Sequence, residues 1–452
     1  MFSSALYVIA PAKLQSALIT LRALLRKLMR EGRSFEGHVR EIASTQYLTP
    51  SDLAAWREAR LGMLLRHAVL HVPFYRDLGL ARAIAEIRPM EALNAFPLLD
   101  KAAVREHGAC LISDNARRPL FKGSTSGTTG SPLVLWQDLN AINRENAFIW
   151  RQLEWAGLRR GDRRAWLRGD LVVPADAAGP PFWRMNHAEN MLMLSSYHLA
   201  ESNVPAYIAA MERFDPIVIQ AYPSSIAFLA KWLDAAGRTY GGTALKGIVT
   251  SSETLNAGEE ALIAKRFGCR VFDWYGQSER VAAIGTCEHG RKHVIGDYSF
   301  VEFLQAGDGL YEIVGTCFSN LAMPLVRYRT GDYVKLEEAA AGCECGRHFP
   351  LVAAIQGRVD DAIKLPDGRH VVRLGHIFKG IEGILEAQIR QEQLDQITIM
   401  IVAADSFSEI EKAKLNANAR DRLGSGVGIR IAEVSSIPRS KGGKLRSVVC
   451  TI

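Results

Sequence analysis

The 452-residue sequence predicts an α/β protein: a large, multi-layer N-terminal domain over residues 1–357, with a parallel sheet and a hairpin-rich β region, and a small α+β C-terminal domain over 358–452. Three observations predict this. Short apolar runs alternate with single amphipathic helices between residues 216 and 276, which implies parallel strands joined by crossovers. From residue 298 onward, alternating strands are joined by Asp-Gly turns, the chemistry of hairpins. Beyond "GRVDD" (357–361) comes a compact strand, helix and strand series, with the boundary at that motif.

In chain order, residues 1–45 read as a basic amphipathic helical extension. They begin with Leu14, Leu18, Leu21, Leu25 and Leu28 on one helical face and Arg22, Arg26, Lys27 and Arg30 on its flank and far side. Such a helix either packs on its own domain or lies on an anionic membrane. Helical texture continues to about residue 100. A Gly/Ser/Thr loop, "GSTSGTTGSP" (123–132), then leads into a strand-like "PLVLW" and a long helical stretch from Gln137 to Trp155. "PIVIQAY" (216–222) reads as a buried strand, "SSIAFLAKWLDAAG" as a Ser-capped helix and "LKGIVT" (245–250) as a strand. "NAGEEALIAKRFG" reads as an Asn-capped helix closed by Gly268, and "CRVFDWYG" as the next strand. Ser251, Ser252 and Glu253 follow one of these strands and Gln277, Ser278 and Glu279 another, so both clusters are expected at a crevice beyond strand ends, where open α/β sheets bind ligands. "YSFVEFLQAGDGLYEIVGT" and "DAIKLPDGRHVVR" read as hairpins. The small domain follows with "ITIMIVA" (397–403), a helix over Ser408 to Leu423, "GIRIAEVSSI" (428–437) and a closing "PRSKGGKLRS".

Composition bounds the function. Hydrophobic residues at 48% and charged residues at 23% are ordinary for a soluble globular chain, and no apolar tract is long enough to span a bilayer. The net charge is +7, and residues 1–40 alone hold seven Lys or Arg against two Glu. With no basic stripe interleaved with aromatics elsewhere, nucleic acid is not an expected partner. An odd count of seven cysteines, and a first segment without a charged n-region, lead us to expect a reducing cytoplasmic location.

The 123–132 loop exposes consecutive N–H groups and hydroxyls with little steric cover, which suits a polyanion such as a triphosphate. It is not a P-loop, because the G-x-x-x-x-G-K-[ST] pattern is absent and Gly123 to Trp136 contains no lysine. Its company is informative. "STSGTTGSP", "SSE", "DWYGQSE", "YRTGD", "GRVDD" and "PRSKGGKLRS" in this order resemble the motif series of the adenylate-forming superfamily of acyl-CoA ligases. "LLRHAVLHVPFYRDLG", "FPLLDKAAVREH" and "CECGRHFPLVAAIQGR" are similar to segments of the phenylacetate-CoA ligase group and its CapK-type, polysaccharide-locus branch.

The resemblance implies ATP-dependent activation of an organic carboxylate to an acyl-adenylate, release of pyrophosphate, and transfer to CoA. By the same resemblance, Ser124, Thr125, Ser126, Gly127, Thr128, Thr129 and Gly130 hold the β- and γ-phosphates, and Tyr275, with Gly276 and Gln277 beside it, stacks on adenine. Ser278 donates to the α-phosphate and Glu279 helps to hold Mg2+. Serine stands where the family pattern YG-x-TE has threonine, and the hydroxyl is kept. Ser252 and Glu253 border the adenine, Asp332 accepts the ribose hydroxyls and Arg358 reaches the ribose or phosphate side. Lys444, in a glycine-flanked "KGGKLR", brings an ammonium between carboxylate and α-phosphate, with Lys441 a rival; Asp360 is the matching hinge on which the small domain rotates. The acyl pocket is expected near Ala221 and Tyr222 and along the helix from Gln137.

Cys287, His289, His293, Cys343 and Cys345 form a separate constellation, "CEHGRKH" and "CECG". Cys287, His293, Cys343 and Cys345 suit a tetrahedral, structural zinc site, His293 being the better fourth ligand because C-x5-H gives the chain room to fold back. Two other functions compete: adenylation with transfer to a non-CoA acceptor in exopolysaccharide or capsule assembly, and a non-catalytic nucleotide-binding protein docked on a membrane by its basic helix.

Overall fold

The computed structural model describes residues 5–124, 133–174, 176–307, 309–337, 342–358, 363–366, 370–371, 374–378, 380–424, 426–440 and 443–452. The chain divides into two compact units, one made of residues 1–20, 160–271 and 356–452 and the other of 21–159 and 272–355.

The first unit carries the expected α/β sheet. Strands Met191–Ser195, Arg164–Arg168, Val218–Ala221 and Gly247–Ser251 lie side by side and parallel, and Trp183–Asn186 runs antiparallel on the edge. Parallel strands are covered on both faces, which is why "VIQA" and "MLMLS" are buried at every position. Ile219, Phe228, Leu229, Leu233, Ile248 and Ile263 tie the sheet to the helices Pro223–Ala235 and Ala257–Phe267. The register brings Arg168 beside Ser195, Leu167 beside Ala221 and Ala221 beside Thr250, so the carboxyl ends of these strands share one edge. The same unit holds a four-stranded sheet in the order Gly428–Glu433, Gln396–Ala403, Ile384–Gln393, Val448–Cys450, with the helix Glu409–Leu423. Ile389, Ile397, Ile399, Ile401, Leu415 and Ala419 make its core.

The second unit is richer in antiparallel pairing. Ser299–Gln305, Tyr311–Cys317 and Tyr328–Leu336 form a meander; Lys292–Val294 pairs antiparallel with both Leu351–Arg358 and Ala283–Thr286, and Ala283–Thr286 pairs with the end of Arg270–Gly276. Helices Phe35–Thr45 and Leu139–Trp155 are pinned by a buried ion pair in which Arg151 donates twice to Asp297, at 2.7 and 3.0 Å, while Thr45 Oγ1 donates to the same carboxylate at 2.6 Å.

Local signals mark several elements accurately. Asn256 Oδ1 accepts from the Glu259 N–H at 2.9 Å, and Gly268 closes that helix at φ +66°. Asp138 caps the long helix, which starts at Leu139. The helix at 223–235 corrects the expected serine cap: Tyr222 is its N-cap without a side-chain bond, Pro223 opens the first turn, and the Ser224 N–H is engaged by a carboxylate from elsewhere in the unit. In the N-terminal helix Ala12–Arg30, Gln15 and Ile19 are the buried positions, whereas Leu14, Leu21, Leu25 and Leu28 face outward.

Candidate active site

Ser252 and Glu253 follow directly on the strand Gly247–Ser251, in the first unit. Ser252 adopts φ +74°, a backbone that non-glycine residues rarely take, and its Oγ accepts from Arg168 Nη2 at 2.7 Å. Arg168 ends the neighbouring strand Arg164–Arg168, and its guanidinium lies 4.9 Å from the Trp166 ring centroid and 5.0 Å from that of Tyr222. Burial pulls the Arg168 guanidinium pKa down, opposed by nearby Tyr222, Asp170 and Glu253. The group stays cationic, since arginine starts so high. A cation is thus held among aromatics at the carboxyl ends of parallel strands.

Glu253 is a clamp. Its Oε2 accepts from the Ser224 N–H at 3.0 Å, the first turn of a helix, and its Oε1 accepts from the Leu445 N–H at 2.8 Å. Burial raises its pKa, while those two N–H groups and the charge of Arg439 work in the other direction. Leu445 is the residue after Lys444. The lysine segment is therefore fastened to the end of the Gly247–Ser251 strand.

A second contact fixes the same segment. Gly443 has φ +70°, and a Cβ there would come within 2.5 Å of Gly169 Cα and 3.1 Å of Tyr197 Oη. Only glycine permits so close an approach. The Lys444 N–H donates to Ser440 Oγ at 3.2 Å and its carbonyl accepts from the Ser440 N–H at 3.0 Å, closing the loop on itself. Lys444 thus shares one neighbourhood with Arg168, Gly169, Ser252 and Glu253; Lys441 and Asp360 lie outside the described residues.

The second unit gathers the other candidates. Tyr275 and Gly276 end the strand Arg270–Gly276. Tyr275 Oη donates to Asp332 Oδ2 at 2.8 Å and accepts from Gln277 Nε2 at 2.8 Å. Burial and the Asp332 charge push the phenol pKa well above its ordinary value, so it remains a neutral donor. Asp332 is buried, and its own N–H donates to Thr330 Oγ1 at 3.0 Å. Glu279 is also buried and accepts from Tyr328 Oη at 3.1 Å, while Ser278 is exposed in the turn between them. Each carboxylate is thereby oriented by a tyrosine hydroxyl. Thr125, Ser126, Gly127, Thr128, Thr129 and Gly130 lie outside the described residues; Ser124 and Arg358 are described as strand ends only.

Sequence reasoning overlooked Arg168. Its signal was "AWLRGD" (165–170), an apolar strand ending in a cation, a glycine and an acid, the same grammar that picked out Ser252 and Glu253.

The second constellation does come together. One ligand atom from each of Cys287, His293, Cys343 and Cys345 lies within 4.8 Å of the others. Cys287 Sγ is 3.6 Å from Cys343 Sγ, and Cys345 Sγ is 3.4 Å from His293 Nε2. Zinc bonds of standard length would give tetrahedral edges of about 3.8 Å between two sulfurs and about 3.5 Å between sulfur and nitrogen. The observed separations fit that donor set and are far too long for a disulfide. His293 Nδ1 faces the Phe349 carbonyl at 3.4 Å, leaving Nε2 toward the thiols, as ligating histidines are held. Burial pushes its pKa down to about 4, which favours the neutral imidazole. His289 is not part of the cluster: its Nδ1 lies 3.2 Å from Glu344 Oε2.

Comparison with known proteins follows from this geometry. Residues 365–451 match the family described as the CapK C-terminal domain. The chain is 26% identical to Protein CapK of Staphylococcus aureus over 364 residues, covering 80% of this chain and 80% of that protein. It is 25% identical to the phenylacetate-coenzyme A ligase of Thermus thermophilus over 444 residues, covering 89% and 97%. The corresponding Escherichia coli ligase is 24% identical over 429 residues, covering 87% and 94%. Among solved structures, a 2-hydroxyisobutyryl-CoA ligase in the postadenylation state superposes with a TM-score of 0.65 at 17% identity, covering 90% and 91%. That likeness shows the same fold.

Proposed function

Because the chain is an adenylate-forming, phenylacetate-CoA ligase-like protein of the CapK type, we propose that it activates an organic carboxylate with ATP and passes the acyl group to CoA. The observation that carries this reading is the fastening of the Lys444 segment to Glu253 and Gly169, at the strand ends that also present Arg168 and Ser252. Two anions must meet in the first step, the carboxylate and the α-phosphate, and their repulsion is the main obstacle. An ammonium at Lys444 and a preorganised guanidinium at Arg168 lower that barrier where charge builds up. The carboxylate oxygen attacks the α-phosphorus, the bond to the bridging oxygen breaks, and pyrophosphate leaves. In the second step a CoA thiolate attacks the acyl carbon, forming the thioester and releasing AMP.

In this reading Tyr275, with Gly276 and Gln277 beside it, stacks on adenine, Ser252 and Glu253 border the adenine, Asp332 accepts from the ribose, Ser278 donates to the α-phosphate, and 124–130 hold the outer phosphates. Arg358 reaches the ribose or phosphate side and Asp360 is the hinge of a small domain over 358–452. Glu279, an oxygen ligand held by Tyr328, suits Mg2+, which would neutralise phosphate charge.

The test is carboxylate-dependent exchange of labelled pyrophosphate into ATP across a panel of aryl and aliphatic acids. Exchange with at least one acid is expected, and Lys444→Ala should reduce it by about a hundredfold or more. No exchange with any acid would overturn the adenylation. Consumption of CoA thiol decides the acceptor; exchange without thiol consumption favours transfer to a non-CoA nucleophile.

We also propose a structural zinc ion on Cys287, His293, Cys343 and Cys345, resting on their tetrahedral spacing. Four protein ligands leave no position for substrate, so its contribution is to folding. Metal analysis of the purified chain should give about one zinc per chain, and a chelator should lower the melting temperature. A zinc-free chain whose melting is indifferent to chelator would end the proposal.

A further inference from the structure

The helix Ala12–Arg30 is built inside out. Most of its leucine stripe, which would normally fill a core, faces solvent: Leu21, Leu24, Leu25 and Leu28 are exposed, with Leu25 at 62% and Leu28 at 75% of the residue's possible area. Leu14 continues the same stripe two turns earlier, while Leu18 between them is half-buried against the core that holds Val172 and Met191. The flank opposite the leucines holds the helix instead, with Gln15 and Ile19 buried and the Met29 carbonyl accepting from Asn143 Nδ2 at 2.7 Å. From Leu21 to Leu28 the leucine stripe is therefore solvated although the helix itself is fixed. An apolar strip of this length is a binding surface in an ordinary globular chain.

Charge says what covers it. The nineteen residues contain Lys13, Arg22, Arg26, Lys27 and Arg30 and no acid. Glu31, directly after the helix, lies 3.9 Å from Lys27, and five cations against this one acid leave the segment strongly positive. A second copy would bring two such positive segments together, although leucines at 14, 18, 21, 25 and 28 have the spacing of a coiled-coil seam. An anionic lipid surface meets both demands: acyl chains receive the exposed leucines and headgroups balance the net positive charge. No helix among the described residues is long and apolar enough to cross a membrane, so the association is parallel to the surface. We propose that Ala12–Arg30 is an interfacial helix that docks this protein on an anionic bilayer, independently of the chemistry of its active site.

Co-sedimentation of the full chain with vesicles tests this, using phosphatidylcholine alone and phosphatidylcholine with one quarter phosphatidylglycerol. Binding is expected to the anionic vesicles only and to weaken as salt is raised. Each cation removed near the surface should weaken it by about fivefold, so Arg26→Gln with Lys27→Gln together should cost at least tenfold. Leu25→Asp with Leu28→Asp should abolish binding while leaving the melting temperature and pyrophosphate exchange unchanged, because neither leucine packs in the folded chain. A chain that stays in the supernatant with anionic vesicles overturns the proposal. So does a dimer in sedimentation velocity that the Leu25→Asp, Leu28→Asp variant converts to monomer, since the stripe would then belong to a second copy.

Discussion

Gly443 shows how one backbone position governs where the lysine proposed to act in adenylation sits. At φ +70° an L side chain costs about 1 kcal/mol from conformation alone, and at this site the Cβ would also overlap Gly169 Cα. Gly443→Ala should therefore lift the lysine segment from the strand ends without touching the lysine itself. Pyrophosphate exchange is expected to fall at least tenfold. Gly268→Ala supplies the control: it carries the same conformational cost at φ +66° but meets no atom within 4 Å, so it should lower stability by about 1 kcal/mol and leave exchange intact. Equal losses in the two variants would mean that the Gly169 contact does not position Lys444. Glu253→Ala probes the same docking from the other side. It deletes hydrogen bonds to Ser224 and Leu445, each worth about 1.5–3 kcal/mol when an ionised acceptor is involved, and should lower kcat more than it raises KM for ATP.

At the level of elements, what the sequence disclosed was local. The Ala257–Phe267 helix could be read because Asn256 and Gly268 are its own neighbours, and the first hairpin of the meander because the sequence "AGDG" stands between its two alternating strands. Strands Arg164–Arg168 and Met191–Ser195 escaped notice, the first because arginines bracket its apolar centre and the second because "MLMLS" has neither alternation nor the β-branched residues that mark "PIVIQAY" as a strand. The bond from Leu445 to Glu253 joins residues 192 apart in sequence, and no pattern along the chain announces it. A further local device is Asp215, which ends the helix Val204–Phe214 at φ +49° and collects the turn before the next strand. Its carboxylate accepts from the Ala244 and Thr243 N–H groups at 2.9 Å each and from Thr243 Oγ1 at 3.2 Å. These bonds, the Ala244 N–H first, hold its pKa below the ordinary 3.8. The folded state thus binds this proton less readily than the unfolded chain. Its stabilisation is complete above the ordinary value and is lost as pH falls through the depressed one. Asp215→Asn keeps the acceptor oxygen but not the charge, so the variant's melting temperature should decline less steeply than the parent's as pH falls below the ordinary 3.8. Parallel acid profiles for the two proteins would remove Asp215 from the account.

Across the whole molecule, the last segment has the makings of a separate folding unit even though it packs within a larger one. Among the described residues, its core, from Ile363 through Ile389, Ile399 and Leu415 to Val448, comes from positions 363–448, and its four-stranded sheet lies within 384–450. Three side chains point elsewhere: Leu385 and Ala404 belong to the core built around Ile226 and Phe228, the partly buried Val402 packs against it, and the Leu385 carbonyl accepts from Lys231 Nζ at 2.9 Å. A fragment of residues 358–452 should accordingly unfold cooperatively on heating, with an apolar patch at Leu385 that promotes association. Leu385→Ser in the fragment removes that patch and should give a monomer with the same circular dichroism and a single melting transition. Should the fragment lack a cooperative transition even with this substitution, its core requires the neighbouring sheet, and rotation of residues 358–452 as a rigid body between half-reactions becomes untenable. A folded fragment keeps that rotation available, because a domain can turn as one piece only if its own contacts suffice to hold it together.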